Sequence, residues 1–192
     1  MSLRERKKNK TRLQLLEAAL ALIGTQGFEE TTINQIAAAV EVSPRTLLRY
    51  FPTKEDVIVS WVEDGMAVFF DALTLRPAHE PASLALLASA REMLLSYQVR
   101  SDFYLTIERV IASAPGISAR KQEMAEGLAR KVTATLSLRP VQSGTALLAN
   151  ELYPAVVFSL VRVVIHQWVA LDGKPQLIDL FNQAAALIQF EE

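Results

Sequence analysis

The sequence contains no cysteine, only two histidines, and seven glycines that are scattered along its 192 residues. The absence of cysteine excludes disulfides, thiolate metal sites and a cysteine nucleophile. Because His79 and His166 are far apart in the sequence, a histidine-based metal centre is not expected either. No glycine-rich phosphate loop and no serine nucleophile elbow is found. We therefore expect no catalytic site, no metal site and no cofactor.

Long apolar runs are also missing, although 51% of the residues are hydrophobic and the mean hydropathy is +0.19. The most apolar stretch, residues 152–165, is interrupted by Arg162, and fourteen residues are too few to span a bilayer. The basic residues near the amino terminus precede an amphipathic pattern rather than the apolar run of a secretory signal. These features predict a sizeable core, no membrane partner and a cytoplasmic location.

An excess of one charge is missing from the whole chain but not from its beginning. Lysine and arginine number 20, against 21 aspartates and glutamates, so the net charge predicts no polyanionic partner. Residues 1–60, however, carry nine basic and seven acidic residues, and six of these nine lie in residues 4–12. This basic segment fits either a solvated tail or an arm that follows a nucleic acid.

Helical periodicity continues along the chain, and no segment makes a convincing strand. Short β-branched runs such as residues 161–165 lie inside longer helical patterns, so their length favours helix. We predict an all-α chain of about nine helices, the first of which ends before Gly27. Apart from two very short ones, the helices are expected at residues 10–25, 54–73, 83–100, 103–113, 117–138, 143–171 and 175–190.

The two very short helices are predicted between residues 31 and 53. Thr32 followed by Gln35 has the pattern of a capping box, and Ser43 before Pro44 that of an N-cap with a first-turn proline. The three-residue turn between the two helices gives them the dimensions of a helix-turn-helix, whose second helix enters the major groove of DNA. A solvated corner between two helices is the alternative.

The polar residues of the second short helix favour DNA binding. Leu47 and Phe51 form its apolar stripe, which leaves Arg45, Thr46 and Arg49 free to point away from the core. An arginine in the first turn of such a helix can bind guanine through two hydrogen bonds.

Lys54 lies where a cation is unfavourable. Thr53 and Asp56 predict a capping box that begins a helix at residue 54, and a cation at the positive end of a helix dipole costs about 0.3 kcal/mol or more. A neighbouring acid could compensate this cost, and so could a bound phosphate.

Residues 8–68 resemble the amino-terminal domain of the TetR family of bacterial transcriptional regulators. The resemblance is carried by a specific combination of elements: the basic arm, Gly27-Phe28, Thr31-Thr32, Val42-Ser43, Thr46, Tyr50-Phe51 and Lys54-Glu55. Two positions depart from the family pattern, which usually has glycine where this chain has Glu41 and an aromatic residue where it has Leu48.

The resemblance implies a sequence-specific DNA-binding regulator, a repressor that a small-molecule ligand releases from its double-stranded operator. It implies DNA contacts, with phosphates or in the major groove, for Arg4, Arg6, Lys7, Lys8, Thr32, Ser43, Pro44, Arg45, Thr46, Arg49, Tyr50 and Lys54. Because of Glu41 and Leu48, a helical ligand-binding protein that has lost DNA binding is the alternative.

Residues 73–192 resemble the family's ligand-binding and dimerisation domain. Residues 143–171 contain only Glu151 and Arg162 as charged residues, and a helix this apolar is buried on several sides, by its own domain or by a partner. The resemblance implies a homodimer that is formed through the last two helices, with Val161, Ile165, Trp168, Leu177, Leu180, Phe181, Ala184, Leu187 and Ile188 at the interface. An unusually apolar monomer core is the alternative.

The resemblance also implies a ligand cavity among the middle helices. The candidate lining residues are Trp61, Phe69, Met93, Tyr97, Phe103, Tyr104, Glu108, Phe158, Arg162 and His166, and core packing is the alternative for most of them. Arg162 and His166 would be costly to bury without an acid such as Glu108 or an anionic ligand. Residues 107–120 are similar to a subgroup that regulates mycofactocin genes and responds to acyl-CoA, so acyl-CoA or another hydrophobic inducer is expected.

Overall fold

The computed structural model describes residues 3–137 and 146–188, and side chains from residue 148 onward in the second range. Over these residues the chain forms helices and no strand, which confirms the all-α class. The helices are α1 (Leu3–Gln26), α2 (Ile33–Ala39), α3 (Pro44–Tyr50), α4 (Lys54–Val59), α5 (Trp61–Leu75), α6 (Ala82–Gln98), α7 (Ser101–Ser113), α8 (Pro115–Leu136), α9 (Ala146–Ala170) and α10 (Leu177–Ala185). The predicted limits at residues 138, 143 and 190 lie outside the described residues.

The single helix predicted over residues 54–73 corresponds to two segments, α4 and α5. They are separated only by Ser60, whose backbone is itself in the right-handed helical region. The Ser60 hydroxyl donates to the Val57 carbonyl over 2.8 Å.

Helix α1 is longer than the sequence analysis predicts. It begins at Leu3 instead of residue 10, so the basic segment is helical rather than an extended arm or tail. Arginine, lysine and glutamate are good helix formers, which explains why the charged residues prolong the helix. Residues 3–10 are exposed, so five of the six cations lie on the surface of this helix, and Arg12 is half-buried.

The chain divides into two compact units. The first comprises Met1–Trp61 and Thr106–Gln122, and the second comprises Val62–Leu105 and Glu123–Glu192. Parts of α7 and α8 therefore join the amino-terminal helices, which nothing in the sequence indicates. The functions expected for residues 8–68 and 73–192 remain predictions.

The core of the first unit is built around α1. Leu15 and Leu16 are buried on α1, which packs against α2 and α4, and α2 packs against α3. As predicted, α3 turns Leu47 and Phe51 inward, with exposed fractions of 0% and 3%. Burial of this stripe fixes which face of α3 remains on the surface.

The second unit packs α6 against α9 and α10. Leu177 and Phe181 of α10 are buried, and the Ile178 backbone N–H donates to the Gln98 side chain over 3.1 Å. Helix α5 approaches α6 so closely that a Cβ at Gly65 would overlap the Tyr97 side chain.

The predicted interface residues are for the most part interior residues of this chain. Val161, Ile165, Trp168, Leu177 and Phe181 are buried within the described chain, whereas Leu180, Ala184 and Ile188 are half-buried and Leu187 is exposed. The expectation that all nine face a partner is therefore wrong. The apolar character of α9 and α10 reflects in large part their packing against α6.

Helix α9 is longer than the fourteen-residue run on which the membrane argument was based. Leu148–Ala170 has a mean hydropathy of 1.6 and is the one helix of the described chain that is long and apolar enough to cross a bilayer. One third of this stretch is buried inside the chain. The length of α9 therefore does not exclude a membrane span. Its exposed apolar residues must be covered by something other than the core of this chain.

Glu41 occupies a backbone position that favours glycine. Its φ is +56°, in the left-handed region. The Val42 N–H donates to the Ala37 carbonyl and the Glu41 N–H to the Ala38 carbonyl, which is the hydrogen-bond pattern of a Schellman motif at the end of α2. The glycine expected from the family pattern thus has a conformational reason, and glutamate is strained there.

We predict that Glu41→Gly raises the free energy of unfolding by about 1 kcal/mol, because the cost of the left-handed conformation outweighs the entropy cost of glycine. Denaturant unfolding monitored by circular dichroism measures the change. Glu30→Gly is the matched control: Glu30 is also exposed, but its φ is not positive, so glycine should lower stability there. Equal effects of the two substitutions would contradict the explanation.

Candidate nucleic-acid interface

Helix α2 begins with the predicted capping box. The Gln35 N–H donates to the Thr32 hydroxyl over 3.2 Å, and the Thr32 N–H donates to the Gln35 side-chain oxygen over 2.9 Å. The same oxygen accepts from the Gln26 side chain over 3.2 Å. The cap of α2 is therefore tied to the last turn of α1.

Helix α3 begins as predicted, with Ser43 as its N-cap and Pro44 in its first turn. The Ser43 hydroxyl accepts from the Thr46 N–H over 3.1 Å, and the two hydroxyls lie 2.9 Å apart, within hydrogen-bond distance. These contacts fix the first turn of α3, which is the part of a recognition helix that reaches base edges.

The outward face of α3 is basic. Arg45 and Arg49 are exposed four residues apart, on the side opposite the buried Leu47, and Thr46 is half-buried beside them. The sequence contains no acidic residue between Glu41 and Glu55. Such a surface attracts the phosphate backbone of DNA.

Two aromatic residues at the end of α3 carry guanidinium groups over their rings. The Arg49 guanidinium lies 5.5 Å from the centre of the Tyr50 ring, and that of Arg12 lies 5.1 Å from the centre of the Phe51 ring. Phe51 is buried and Tyr50 is half-buried. The last cation of the basic segment thus packs against α3.

Lys54 has partners that the sequence did not indicate. Its ammonium group donates to the carbonyl oxygens of Phe28, Glu29 and Thr31 over 2.8, 3.3 and 3.2 Å. It also lies 4.1 Å from the centre of the Phe28 ring. These contacts, and not the expected acid or phosphate, compensate for the cation at the start of α4.

Asp56 connects the start of α4 to α8. Its carboxylate accepts from the Thr53 N–H, the Thr53 hydroxyl and the Arg120 guanidinium, over 3.1, 3.0 and 2.6 Å. The side chain of Asp56 is 8% exposed. The predicted capping box is confirmed, and its buried acid also pairs with Arg120, whose side chain is 37% exposed.

A second ion pair lies beside the first. Lys121 follows Arg120 and pairs with the buried Glu108, and its ammonium lies 5.2 Å from the centre of the Trp61 ring. Sequence reasoning missed Arg120 and Lys121 as parts of the first unit. The only signal was that two adjacent cations follow the Pro115-Gly116 break, and such a pattern names no partner.

The predicted ligand-binding residues are distributed over both units. Trp61 and Glu108 belong to the first unit, and the other eight belong to the second. Arg162 and His166 are exposed on α9, and Glu108 pairs with Lys121. Neither Arg162 nor His166 is buried in the described chain, so neither needs an acid such as Glu108 there, and that expectation is wrong.

Most of the aromatic candidates of the second unit are close to one another in pairs. The Phe69 and Phe158 ring centres are 5.4 Å apart, and those of Tyr97 and Tyr104 are 4.6 Å apart. Phe103 lies 5.5 Å from Tyr104. Burial raises the pKa of the Tyr104 hydroxyl; nearby Arg100 opposes the rise and Asp64 adds to it.

The chain is similar to bacterial regulators. The family model described as bacterial regulatory proteins, tetR family, matches residues 15–60. The HTH-type transcriptional regulator TcmR of Streptomyces glaucescens is 37% identical over 142 residues, which cover 69% of this chain and 63% of that protein. The match thus spans less than two thirds of TcmR.

Two further similarities extend over nearly the whole chain. The fatty acid metabolism regulator protein of Bacillus subtilis strain 168 is 24% identical over 181 residues, 92% of each chain. The solved structure of FadR from Bacillus subtilis in complex with stearoyl-CoA has a TM-score of 0.59 at 18% identity, and covers 91% of this chain and 96% of that chain. This structural similarity shows a shared fold. Together with the capped helix-turn-helix, the matches show that residues 15–60 form a domain of the bacterial regulatory proteins, tetR family.

Proposed function

We propose that this protein is a homodimeric repressor that binds operator DNA through α3 and is released by a hydrophobic ligand. The observation that carries the proposal is the surface of α3, where Arg45 and Arg49 are exposed on a helix whose start and inward face are both fixed. A fixed backbone with two exposed arginines suits contact with base edges.

The proposed DNA contacts fall into two groups, those with base edges and those with the phosphate backbone. Arg45, Thr46 and Arg49 meet base edges in the major groove, whereas Thr32, Ser43, Pro44 and Tyr50 lie along the backbone. The exposed helical start of α1, with Arg4, Arg6, Lys7 and Lys8, meets phosphates. Because most of these contacts are electrostatic, affinity falls steeply with salt concentration.

A second copy of the chain covers α9. The exposed residues of α9 form one continuous stripe at helical spacing: Leu148, Glu151, Leu152, Ala155, Ser159, Arg162, Val163, His166, Gln167 and Ala170. Small residues at the centre of the stripe permit close approach of a second helix. Apolar residues flank them, at Leu152 and Val163, with exposed fractions of 51% and 56%.

Charge complementarity sets the register of this contact. Glu151 and Arg162 are eleven residues apart, which places them on one face about 16 Å apart along the axis. In a two-fold interface, contacts occur in reciprocal pairs. An antiparallel crossing centred between Ala155 and Ser159 therefore brings Glu151 of each copy to Arg162 of the other, and Leu152 to Val163.

The ligand is a fatty acyl-CoA. The Bacillus subtilis relative is named a fatty acid metabolism regulator, and FadR, which shares the fold, was solved with stearoyl-CoA. The aromatic pairs of the second unit form part of an apolar interior, and such an interior suits an acyl chain. The ligand acts by preferring the DNA-free arrangement of the two recognition helices.

The protein acts by binding alone, without catalysis and in the cytoplasm. Its relatives are transcriptional regulators, which are not enzymes. A dimer also explains the exposed apolar face of α9 without a membrane. Ligand binding without DNA binding is disfavoured, because Glu41 follows the C-cap of α2 and the outward face of α3 keeps its exposed arginines.

We predict that the wild-type protein shifts a DNA fragment from upstream of its own gene, and that Arg45→Ala weakens this binding by about 1–3 kcal/mol and relaxes the preference at one base pair. Mobility shift on operator variants measures both effects. Arg91→Ala is the control, because Arg91 is an exposed arginine of the second unit. Unchanged affinity and preference in Arg45→Ala would show that α3 does not bind the bases.

We predict that Glu151→Arg and Arg162→Glu each weaken the dimer about tenfold, since each places like charges opposite one another, and that the double variant recovers most of the loss. Sedimentation across a concentration series gives the dissociation constants. Glu92→Arg makes the same charge change at an exposed site of α6 and should have no effect. Additive losses in the double variant would refute this register.

We predict that stearoyl-CoA releases the protein from its operator, with a coupling of about 1–3 kcal/mol, and that operator DNA weakens stearoyl-CoA binding by the same factor. Fluorescence anisotropy of labelled DNA and calorimetry of the ligand measure the two sides. Coenzyme A without the acyl chain is the matched control. Equal affinity of stearoyl-CoA for free and DNA-bound protein would rule out ligand-controlled release.

A further inference from the structure

We infer that Lys54 is a positioning residue that supports DNA binding by holding the turn between α1 and α2, and that it makes no phosphate contact of its own. This inference rests on the proposed DNA-binding function. It differs from the phosphate contact that the family resemblance implies, because the side chain of Lys54 contacts backbone carbonyl oxygens of its own chain.

All three N–H donors of the Lys54 ammonium group are engaged within the protein. An ammonium carries three N–H donors, and three carbonyl oxygens lie within 3.3 Å of it, those of Phe28, Glu29 and Thr31. The Phe28 ring lies 4.1 Å away and faces the same cation. A phosphate oxygen would have to displace one of these partners before it could accept a hydrogen bond.

These carbonyls belong to a turn in which the carbonyl oxygen of every residue from Gly27 to Thr31 accepts a hydrogen bond. The Gly27 carbonyl accepts from the Thr31 hydroxyl over 2.7 Å, and the Glu30 carbonyl accepts from the Gln26 side chain over 2.9 Å. Lys54 supplies a donor to the other three carbonyls. One side chain from α4 therefore satisfies most of the acceptors of the turn.

The turn between α1 and α2 also determines where α2 begins. Thr31 is 1% exposed, and the next residue, Thr32, is the N-cap of α2. Helix α2 packs against α3, so the direction of the recognition helix follows from the position of this cap. Loss of the ammonium would leave converging carbonyl oxygens without their cation, and the turn would open to hydrate them.

The two possible roles of Lys54 differ in their salt dependence. A side chain that neutralises one phosphate contributes about 0.9 to the slope of log K against log salt concentration. A side chain that only shapes the turn weakens binding without changing that slope. The two roles also differ without DNA, because only the positioning role predicts a change in the turn of the free protein.

The test compares Lys54→Met, which removes the charge and keeps the length of the side chain, with the wild-type protein. In the free protein, we expect amide hydrogen exchange in residues 28–35 to accelerate about tenfold, with no comparable change in α9. On DNA, we expect weaker binding to all sequences at an unchanged salt slope. A slope lowered by about 0.9, or unchanged exchange in residues 28–35, would overturn the inference.

A second variant decides the question if Lys54→Met does not fold. Lys54→Arg keeps the charge, but a planar guanidinium does not match three converging carbonyls. We expect faster exchange in the turn and weaker DNA binding, whereas a phosphate contact predicts nearly wild-type behaviour of this variant. If the wild-type protein shifts no upstream fragment, the proposed function fails, and hydrogen exchange still shows whether Lys54 holds the turn.

Discussion

The three helices around the candidate interface are only six or seven residues long, and this shortness is the constraint on which the site depends. Isolated helices of that length are unstable in water. Each begins with a side-chain cap, at Thr32, Ser43 or Thr53, and each buries an apolar stripe in the first unit. The exposed arginines of α3 therefore have a fixed backbone only because the caps and the core supply it.

The cap at Thr53 has a wider role than a local one. Its acid, Asp56, also binds Arg120 of α8, and the neighbouring Lys121 binds Glu108 of α7. Because Asp56 and Glu108 are buried, removing the cation that pairs with either one leaves a buried charge uncompensated and is destabilising. Parts of α7 and α8 therefore belong to the same compact unit as the helix-turn-helix. Any change that reaches residues 106–122 acts on the unit that contains α3.

Helix α9 is an apolar segment with two different faces, one packed in its own unit and one exposed. The apolar composition makes nearly every face of the segment a candidate for burial. Most of the residues predicted to form the dimer interface are instead buried inside the chain. The helical stripe that α6 and α10 leave uncovered contains small residues, the three large apolar side chains of Leu148, Leu152 and Val163, and both formal charges of the segment. A helix that is apolar overall can thus have one face suited to its own core and another suited to a second copy.

Local patterns in the sequence determined the helical class, the three caps, the inward stripe at Leu47 and Phe51, and the outward arginines of α3. These features depend on residues within four positions of one another, so they can be predicted without the fold. The tertiary structure alone decided the partners of Lys54 and Asp56 and the faces of α9. Lys54 binds carbonyls 23 to 26 residues away and Asp56 binds an arginine 64 residues away. Contacts at such separations depend on how the helices pack, because no local spacing specifies which distant group comes within hydrogen-bond distance.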